Sequence, residues 1–206
     1  MTTEWLRTGG DGRTRCWWPG THDEYVAYHD EEWGRPTIDD TRLFEKICLE
    51  GFQSGLSWLT ILRKRESFRA AFAGFDIEQV ARFGQPEVER LLGDSGIVRH
   101  RGKIEATINN AARAIETIEE HGSLAHFIWS WEPAGPEGDI SEQSPVPALT
   151  PTSTAFSKEL KRQGWKFFGP TTAYAFFQAM GLVNDHMPGC EWHSVIESER
   201  AQLVRP

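Results

Sequence analysis

The sequence predicts an all-α fold, and three observations support that prediction. Apolar residues recur at helical spacing through most of the chain, as at Leu43, Phe44, Ile47 and Cys48. No segment shows sustained alternation of β-branched and polar residues, which is the pattern of a half-buried strand. The 206 residues are enough for one domain with a sizeable hydrophobic core.

Capping residues and glycines divide the first half of the chain into predicted helices. The run 39–41 can cap a helix that ends at Glu50, and a glycine-containing break at 51–55 follows it. A second helix carries apolar residues at helical spacing from Trp58 to Phe72. Further helices are predicted to begin at Asp76, at Pro86 and after the turn at 93–96, the last ending near Gly122.

The second half of the chain has one long irregular segment between predicted helices. A short aromatic helix is predicted from Leu124 to Trp131. Residues 132–152 contain five prolines, so they are interpreted as a crossing loop. Ser153 or Thr154 is expected to cap a helix that stops at Gly164. The remaining predicted elements are a tight turn at 165–170 and a helix from Thr171 through Leu182.

The charge of the chain does not by itself indicate a nucleic-acid partner. The formal net charge is −8, whereas DNA-binding domains usually carry a basic surface. Lysine and arginine nevertheless cluster at 63–65, 99–103 and 158–166. Each cluster can be a basic patch on an acidic protein or an ordinary solvated helix face.

Composition and cysteine usage predict a cytoplasmic protein without a membrane partner. No apolar run approaches the roughly 18 residues that span a membrane, and the N-terminus lacks the apolar core of a signal peptide. The cysteines at 16, 48 and 190 cannot form a disulfide framework in a reducing compartment. Cys48 lies on an apolar helix face and is interpreted as a small core residue.

Two cysteine–histidine pairs lie near opposite ends of the chain. His186 and Cys190 are close enough in sequence to reach one ion, and Cys16 with His29 forms the other pair. A Cys₂His₂ set suits tetrahedral zinc, and four protein ligands leave no position for a catalytic water. The spacing is unlike that of a zinc finger, and on spacing alone such pairs are more often incidental than metal-binding.

Several motifs, in order along the chain, resemble those of the DNA-3-methyladenine glycosylase I family. The resemblance covers about residues 15–190, nearly the whole chain. The matching stretches are YHDEEWG at 28–34, LFE at 43–45, LEGFQSGLSW at 49–58, GIVRHRGKI at 96–104, PTST at 151–154 and GLVNDH at 181–186.

The resemblance implies a helix-hairpin-helix glycosylase fold, all-helical and with two lobes around a cleft. It also implies that the four cysteine and histidine residues named above form one structural zinc site per chain, which joins the N- and C-terminal segments. Residues 15–190 are then the glycosylase domain, with 1–14 and 191–206 as terminal extensions. The implied activity is hydrolytic excision of 3-methyladenine from double-stranded alkylated DNA by a monomer, as in base excision repair.

The resemblance also assigns a base-binding pocket. Glu50 matches the glutamate that hydrogen-bonds the flipped base and is the catalytic candidate, although from its position alone it can be a solvated helix end. Tyr28 and Trp58 match aromatic positions of the pocket, and Trp18 and Tyr25 are further candidates for the same wall. Because 3-methyladenine is cationic while attached to the sugar, its glycosidic bond is already weak. Capture between aromatic faces and one anion is then the main task of the enzyme.

The DNA-binding residues that the resemblance implies are Gly55, Leu56, Gly169, Thr171, Lys166 and Lys103. Leu56 matches the tip that enters the gap left by the flipped nucleotide, but it can also be a core residue at a helix start. Gly169 belongs to the hairpin, whose backbone N–H groups at a helix N-terminus suit a DNA phosphate. Pro170 removes one of those donors, and the two lysines are expected to add phosphate contacts.

Two other function classes are weighed against a glycosylase. A non-catalytic damage-binding module is disfavoured by the intact Glu50, Tyr28 and Trp58, and a zinc hydrolase by the closed ligand set and the lack of a His-Glu-x-x-His motif. Asp185 abuts His186 and is expected to be held away from DNA. Because no suitably placed lysine indicates a lyase, we predict a monofunctional enzyme.

Overall fold

The computed structural model describes residues 4–137 and 146–206, and in these ranges the chain is mainly helical. The predicted helical class is therefore confirmed. The helices are α1 (Asp23–Glu31), α2 (Asp40–Gln53), α3 (Trp58–Ala71), α4 (Ile77–Ala81), α5 (Gln85–Gly93), α6 (Arg101–His121), α7 (Leu124–Trp129), α8 (Pro151–Arg162), α9 (Pro170–Ala179) and α10 (Glu191–Gln202), with a 3₁₀ turn at Ala73–Phe75.

A two-stranded antiparallel ribbon, which the sequence analysis did not predict, precedes α1. β1 (Leu6–Thr8) pairs with β2 (Thr14–Cys16) so that Leu6 lies opposite Cys16. Each strand is three residues long, which is too short for a period-two pattern to stand out in the sequence. The ribbon positions the functional site because its last residue is one of the candidate metal ligands.

Helix α2 is longer than the sequence predicts. Asp39 caps it as expected, accepting a hydrogen bond of 2.8 Å from the backbone N–H of Arg42. The helix does not end at Glu50 but continues to Gln53. Gly51 is a site of close packing and not a break, since a Cβ atom there would lie 3.3 Å from the carbonyl oxygen of Phe167.

The cap of α8 also differs from the prediction. Thr150, and not Ser153 or Thr154, is the N-cap residue, and Pro151 occupies the first turn. The side chains of Thr150 and Ser153 each accept a hydrogen bond from the backbone N–H of the other. The proline that was counted as part of the loop in the sequence therefore belongs to the helix, because Pro suits the first helical position.

Helix α2 lies at the centre of the core and packs against α3, α6, α7 and α9. Helices α4 and α6 pack against each other on one side of it, and α8 and α9 do so on another. Fully buried phenylalanines fill the space between these helices: Phe44, Phe52, Phe68, Phe72, Phe75, Phe156, Phe176 and Phe177. No helix in the described part of the chain is long and apolar enough to cross a membrane.

The C-terminal segment forms α10, which the sequence analysis did not predict. Ile196 is buried, and the guanidinium of Arg200 donates to the carbonyl oxygens of Gly181 and Leu182 at 2.8 and 2.9 Å. These two carbonyls belong to the turn after α9. Helix α10 therefore fixes the chain immediately before the second cysteine–histidine pair.

The turn at Gly181 provides a test of this packing. Gly181 has φ +78°, and a Cβ atom there would lie 2.7 Å from both the carbonyl oxygen of Gly34 and the Cα of Pro36. Gly122, the C-cap of α6, has a similar φ of +84° but no atom within 4 Å of the same position. Gly122→Ala is expected to lower the unfolding free energy by about 1 kcal/mol through backbone strain alone.

Gly181→Ala should cost at least ~2 kcal/mol more, because it adds overlap with backbone atoms that cannot move aside. Urea unfolding of the two variants measures the difference. Equal losses of stability would show that the contact between Gly181 and the segment after α1 is not tight in solution.

Candidate active site and metal centre

A cavity of about 250 Å³ opens between α1, α2, α3 and α9. Its lining includes all five residues that were assigned to base binding from the sequence, namely Tyr28, Trp58, Trp18, Tyr25 and Glu50. The remaining lining residues are Trp17, Trp33, Gln53, Val146, Ala175 and Gln178. The wall is thus largely aromatic, with one carboxylate and two amides that can recognise a polar ligand.

Among the described residues that line this cavity, Glu50 alone carries a formal charge. Its side chain is 5% exposed, which rules out the solvated helix end that its position in the sequence left open. One carboxylate oxygen lies 2.7 Å from the ammonium of Lys46, one turn earlier on α2. The carboxylate is therefore buried but paired, and it faces a space of a size for a small ligand.

The aromatic residues pack on one another around the cavity. Tyr28 and Trp58 have ring centroids 5.4 Å apart, and Trp18 lies 5.0 Å from both Tyr25 and Trp33. Burial raises the pKa of Tyr28 well above its usual value, and the charge of Glu50 adds to that effect. Both Tyr28 and Tyr25 consequently stay neutral phenols at physiological pH.

One wall residue keeps an unused hydrogen-bond donor. The indole Nε1 of Trp58 is buried and has no acceptor among the described residues. Buried N–H groups in native proteins nearly always have a partner, which can be a ligand or an ordered water. The donor therefore agrees with a pocket built to receive a polar molecule.

Sequence reasoning missed several residues at this site. Lys46 is the most important, and no role was assigned to it from its position on α2. The i, i+4 spacing between Lys46 and Glu50 was the available signal, since side chains at that spacing meet on one helix face. Trp33 and Gln53 lie within the matching motifs but were assigned no role, and Gln178 lies in none of those motifs.

The two cysteine–histidine pairs come together in one buried cluster. The ligand atoms of Cys16, His29, His186 and Cys190 all lie within 4.8 Å of one another. The Cys190 sulfur is 3.5 Å from Nδ1 of His186 and 3.8 Å from Nε2 of His29, and the Cys16 sulfur is 3.8 Å from Nδ1 of His186. Such a group can hold a metal ion, as the sequence predicted.

Hydrogen bonds outside the cluster fix the orientation of each imidazole. Nδ1 of His29 lies 2.8 Å from a carboxylate oxygen of Asp30, and Nε2 of His186 lies 3.1 Å from the carbonyl oxygen of Trp33. Arg15 holds Asp30 in place by donating to both carboxylate oxygens at 2.7 to 2.9 Å. Each histidine therefore directs its other nitrogen at the cluster, an arrangement typical of metal-ligating histidines.

The two thiols of the cluster differ in how readily they lose a proton. A hydrogen bond from Cys16 lowers the pKa of Cys190, and His186 and His29 lower it further. The same hydrogen bond, together with burial, raises the pKa of Cys16, which holds the remaining proton of the pair. The backbone N–H of Met187 donates to the Cys16 sulfur at 3.3 Å, so this thiolate is also stabilised once a cation displaces the proton.

The loop between α2 and α3 carries Gly55 and Leu56. Leu56 is 42% exposed and is thus not the core residue that the sequence left as an alternative. The ammonium of Lys103 donates to the carbonyl oxygens of Phe52 and Ser54 at 2.8 and 2.6 Å and is itself buried. Lys103 therefore stabilises this loop through these hydrogen bonds, whereas from the sequence it was expected to contact a DNA phosphate.

The hairpin before α9 lies next to that loop. Gly169 caps α9, and no acceptor among the described residues bonds to the backbone N–H groups of Gly169, Thr171 or Thr172. Lys166 is exposed, and Phe167 is 44% exposed with a φ of +56°. The turn therefore presents free amides, a cation and an aromatic ring on one surface.

The three basic clusters differ in how far their charges are already paired. In the run 63–65, Arg63 pairs with Glu24, Arg65 pairs with Glu32, and Lys64 donates to backbone carbonyls. The two arginines of this cluster are therefore neutralised by glutamates of α1 and of the turn after it, whereas Lys64 keeps its charge. Exposed cations remain in the other two clusters, at Arg99, Lys158, Lys161 and Lys166.

Asp185 is buried beside the aromatic-walled cavity around Glu50, called the base cavity below, but does not line it. Its carboxylate accepts hydrogen bonds from the hydroxyl of Tyr174 at 2.6 Å and from the amide of Gln178 at 2.7 Å. Burial raises the pKa of Asp185, although these two hydrogen bonds act in the opposite direction. Asp185 thus orients Gln178, which does line the cavity.

Comparison with known proteins identifies the family of the chain. A family model described as methyladenine glycosylase matches residues 18–194. The chain belongs to the methyladenine glycosylase family. DNA-3-methyladenine glycosylase 1 of Escherichia coli strain K12 is 50% identical to this member over 178 residues, which are 85% of this chain and 95% of that protein.

Solved structures of the family superpose closely on this member. A crystal structure of 3-methyladenine DNA glycosylase I has a TM-score of 0.81 at 48% identity and covers 87% of this chain and 99% of its own. A tyrosine-to-phenylalanine variant of such an enzyme, in complex with 3-methyladenine, has a TM-score of 0.82 at 36% identity, with coverage of 87% and 97%. The enzyme class is thus DNA-3-methyladenine glycosylase, an N-glycosyl hydrolase.

The Cys/His cluster leads to a prediction about stability. Cys190→Ser removes one ligand, and the protein should lose bound metal and melt at a lower temperature, because the cluster joins segments about 170 residues apart. Cys48→Ala is the matched control, since Cys48 is a buried cysteine outside the cluster.

Mass spectrometry measures the metal content of both variants, and melting curves measure their stability. Cys48→Ala should retain the metal. A Cys190→Ser protein that keeps the metal content and the melting temperature of the unchanged protein would contradict the assignment.

Proposed function

We propose that this protein is a monofunctional glycosylase that flips 3-methyladenine out of double-stranded alkylated DNA and excises it by hydrolysis. The observation that carries the proposal is the buried carboxylate of Glu50 in a cavity with aromatic walls. The 3-methyladenine complex of a structural relative supports the choice of base. We also propose that the enzyme acts in the cytoplasm as a monomer.

The pocket favours an electron-poor purine. The faces of Tyr28 and Trp58 attract a positively charged ring, and the carboxylate of Glu50 can accept a hydrogen bond from the exocyclic amine. Because the alkylated nucleoside already carries a positive charge, its base leaves without being protonated by the enzyme. Selective capture of the cationic base therefore provides most of the discrimination against ordinary adenine.

Two surface elements suit the approach of duplex DNA. Leu56 projects from the loop between α2 and α3, where an apolar side chain can fill the gap left by an extruded nucleotide. The amides of Gly169 and Thr171 at the N-terminus of α9 can bind a phosphate, with Lys166 adding positive charge. The hairpin and α9 thus support the helix-hairpin-helix assignment, whereas Lys103 is reassigned to support of the Leu56 loop.

We propose that the Cys/His cluster binds one structural zinc ion. Zinc bonds of about 2.3 Å to sulfur and about 2.0 Å to nitrogen, at tetrahedral angles, place sulfur and nitrogen ligands about 3.5 Å apart. The sulfur–nitrogen distances of 3.5 to 3.8 Å fit that geometry. When bound, zinc supplies cross-linking and no activated water, because all four positions are filled by the protein.

The terminal segments extend this role. We propose that residues 15–190 form the glycosylase domain and that the flanking segments brace the cluster. The carboxylate of Glu191 accepts a hydrogen bond of 3.1 Å from the backbone N–H of Thr14, and the indole of Trp192 donates to Asp30. Both contacts join α10 to the strand and helix that carry Cys16 and His29.

Glu50→Gln tests the proposed pocket directly. The substitution keeps the size of the side chain but removes the charge, so kcat/KM on duplex DNA containing 3-methyladenine should fall by about 100-fold, or ~2.7 kcal/mol. Affinity for undamaged duplex should stay unchanged, since the base pocket is not used there. Base release and a DNA-binding titration measure the two quantities.

Glu45→Gln is the matched control for this experiment. Glu45 is a buried glutamate on the same helix, but it pairs with Arg69 and does not line the base cavity. Its variant should retain base release. A loss of affinity for undamaged DNA by Glu50→Gln, equal to the loss of activity, would make Glu50 a structural residue instead.

A further inference from the structure

We propose that Lys46 is a positioning residue that holds Glu50, Tyr28 and Trp58 in the geometry that receives the base. This inference rests on the proposed base-binding function of the cavity. It concerns a side chain that touches three wall residues of the pocket without lining the pocket itself.

The ammonium of Lys46 makes three close contacts. It lies 2.7 Å from a carboxylate oxygen of Glu50, 2.9 Å from the hydroxyl of Tyr28 and 3.3 Å from the ring centroid of Trp58. An ammonium group has three N–H donors, and these contacts supply two oxygen acceptors and one aromatic face. All of its donors are therefore directed at residues of the pocket wall.

Lys46 lies behind the wall and not inside the base cavity. A second, smaller cavity of about 30 Å³ borders Lys46, and the two cavities share only Tyr28 and Trp58 among their lining residues. Those two rings therefore separate the ammonium from the space for the base. A nucleophile of a lyase must reach the sugar, so this placement agrees with a monofunctional enzyme.

Lys46 is also the cation available to Glu50. Charged and titratable groups face the pair from α1 (Tyr25, Tyr28 and Glu32), from α2 (Arg42 and Glu45) and from α3 (Arg65 and Arg69). Arg65 is paired with Glu32, and Arg69 is paired with Glu45. Burial lowers the pKa of Lys46, but the adjacent charge of Glu50 opposes that effect and favours the ion pair.

Removal of the ammonium should change how Glu50 responds to pH. A buried carboxylate without a counter-ion takes up a proton more readily, because burial disfavours its charged form. The protonated group has lost the negative charge and one acceptor that recognise the base. Binding of the base should then fail at a higher pH than in the unchanged protein.

The experiment is a titration of free 3-methyladenine, followed by tryptophan fluorescence, between pH 6 and pH 9. The unchanged protein is compared with Lys46→Met, a variant of similar length without charge. The ratio of their dissociation constants at each pH cancels the protonation of the ligand itself. We expect the variant to bind about tenfold more weakly at pH 6 and within about threefold of the unchanged protein at pH 9.

Lys46→Arg keeps the positive charge and is the control. Its ratio to the unchanged protein should be independent of pH. If Lys46→Met does not fold, the same role is tested with the double variant Lys46→Met/Glu50→Gln, which lacks the unpaired carboxylate and should regain a melting transition.

Three results overturn the proposal. One is a ratio for Lys46→Met that does not change with pH, and another, where that variant does not fold, is a double variant that also shows no melting transition. The third is a covalent DNA adduct, trapped by borohydride, that forms with the unchanged protein but not with Lys46→Arg. Failure of the unchanged protein to bind 3-methyladenine counts instead against the proposed function.

Discussion

The burial of helix α2 is the constraint on which the rest of the structure depends. Ten successive residues, Leu43–Phe52, are buried, so the helix has no face in solvent along that length. Three of them, Glu45, Lys46 and Glu50, are charged, and a buried charge is costly unless it is paired. Every neighbouring helix must therefore bring either apolar surface or a compensating polar group to α2.

The active site follows from the way in which that compensation is arranged. Arg69 on α3 pairs with Glu45, and Lys103 on α6 satisfies the carbonyls at the end of α2. Lys46 and Glu50 pair with each other, so that one carboxylate lies at the boundary between the core and the base cavity. The pocket thus lies where the Lys46–Glu50 pair of the central helix meets the aromatic side chains of the wall. In our account, the cationic base is a second positive partner for Glu50.

The Cys/His cluster has a different role, because it holds α1 against this core. Helix α1 carries Tyr25 and Tyr28 as well as His29, so one helix contributes both to the pocket and to the cluster. Helix α10 and the turn at Gly181 bring His186 and Cys190 to the same helix. Loss of the contacts between the two chain ends at the cluster would therefore also release one wall of the base pocket.

Local signals in the sequence predicted helix starts well, and long-range packing explains what they missed. The run that contains Asp39 was recognised as a cap, and Asp76 as a helix start, because the capping hydrogen bonds of both residues are made within one turn. Gly51 was misread as a break because its reason, contact with Phe167, lies more than 100 residues away. Lys46 was missed because only the tertiary structure shows which three groups surround its ammonium.

The direct test of the account is the identity of the bases released from methylated duplex DNA, measured by chromatography. Such DNA contains 7-methylguanine as well as 3-methyladenine, and both are cationic purine nucleosides. A pocket that captures its base by shape and by the carboxylate of Glu50 should release 3-methyladenine selectively and leave the strands intact. Release of no base, or release of both bases in proportion to their abundance, would contradict it.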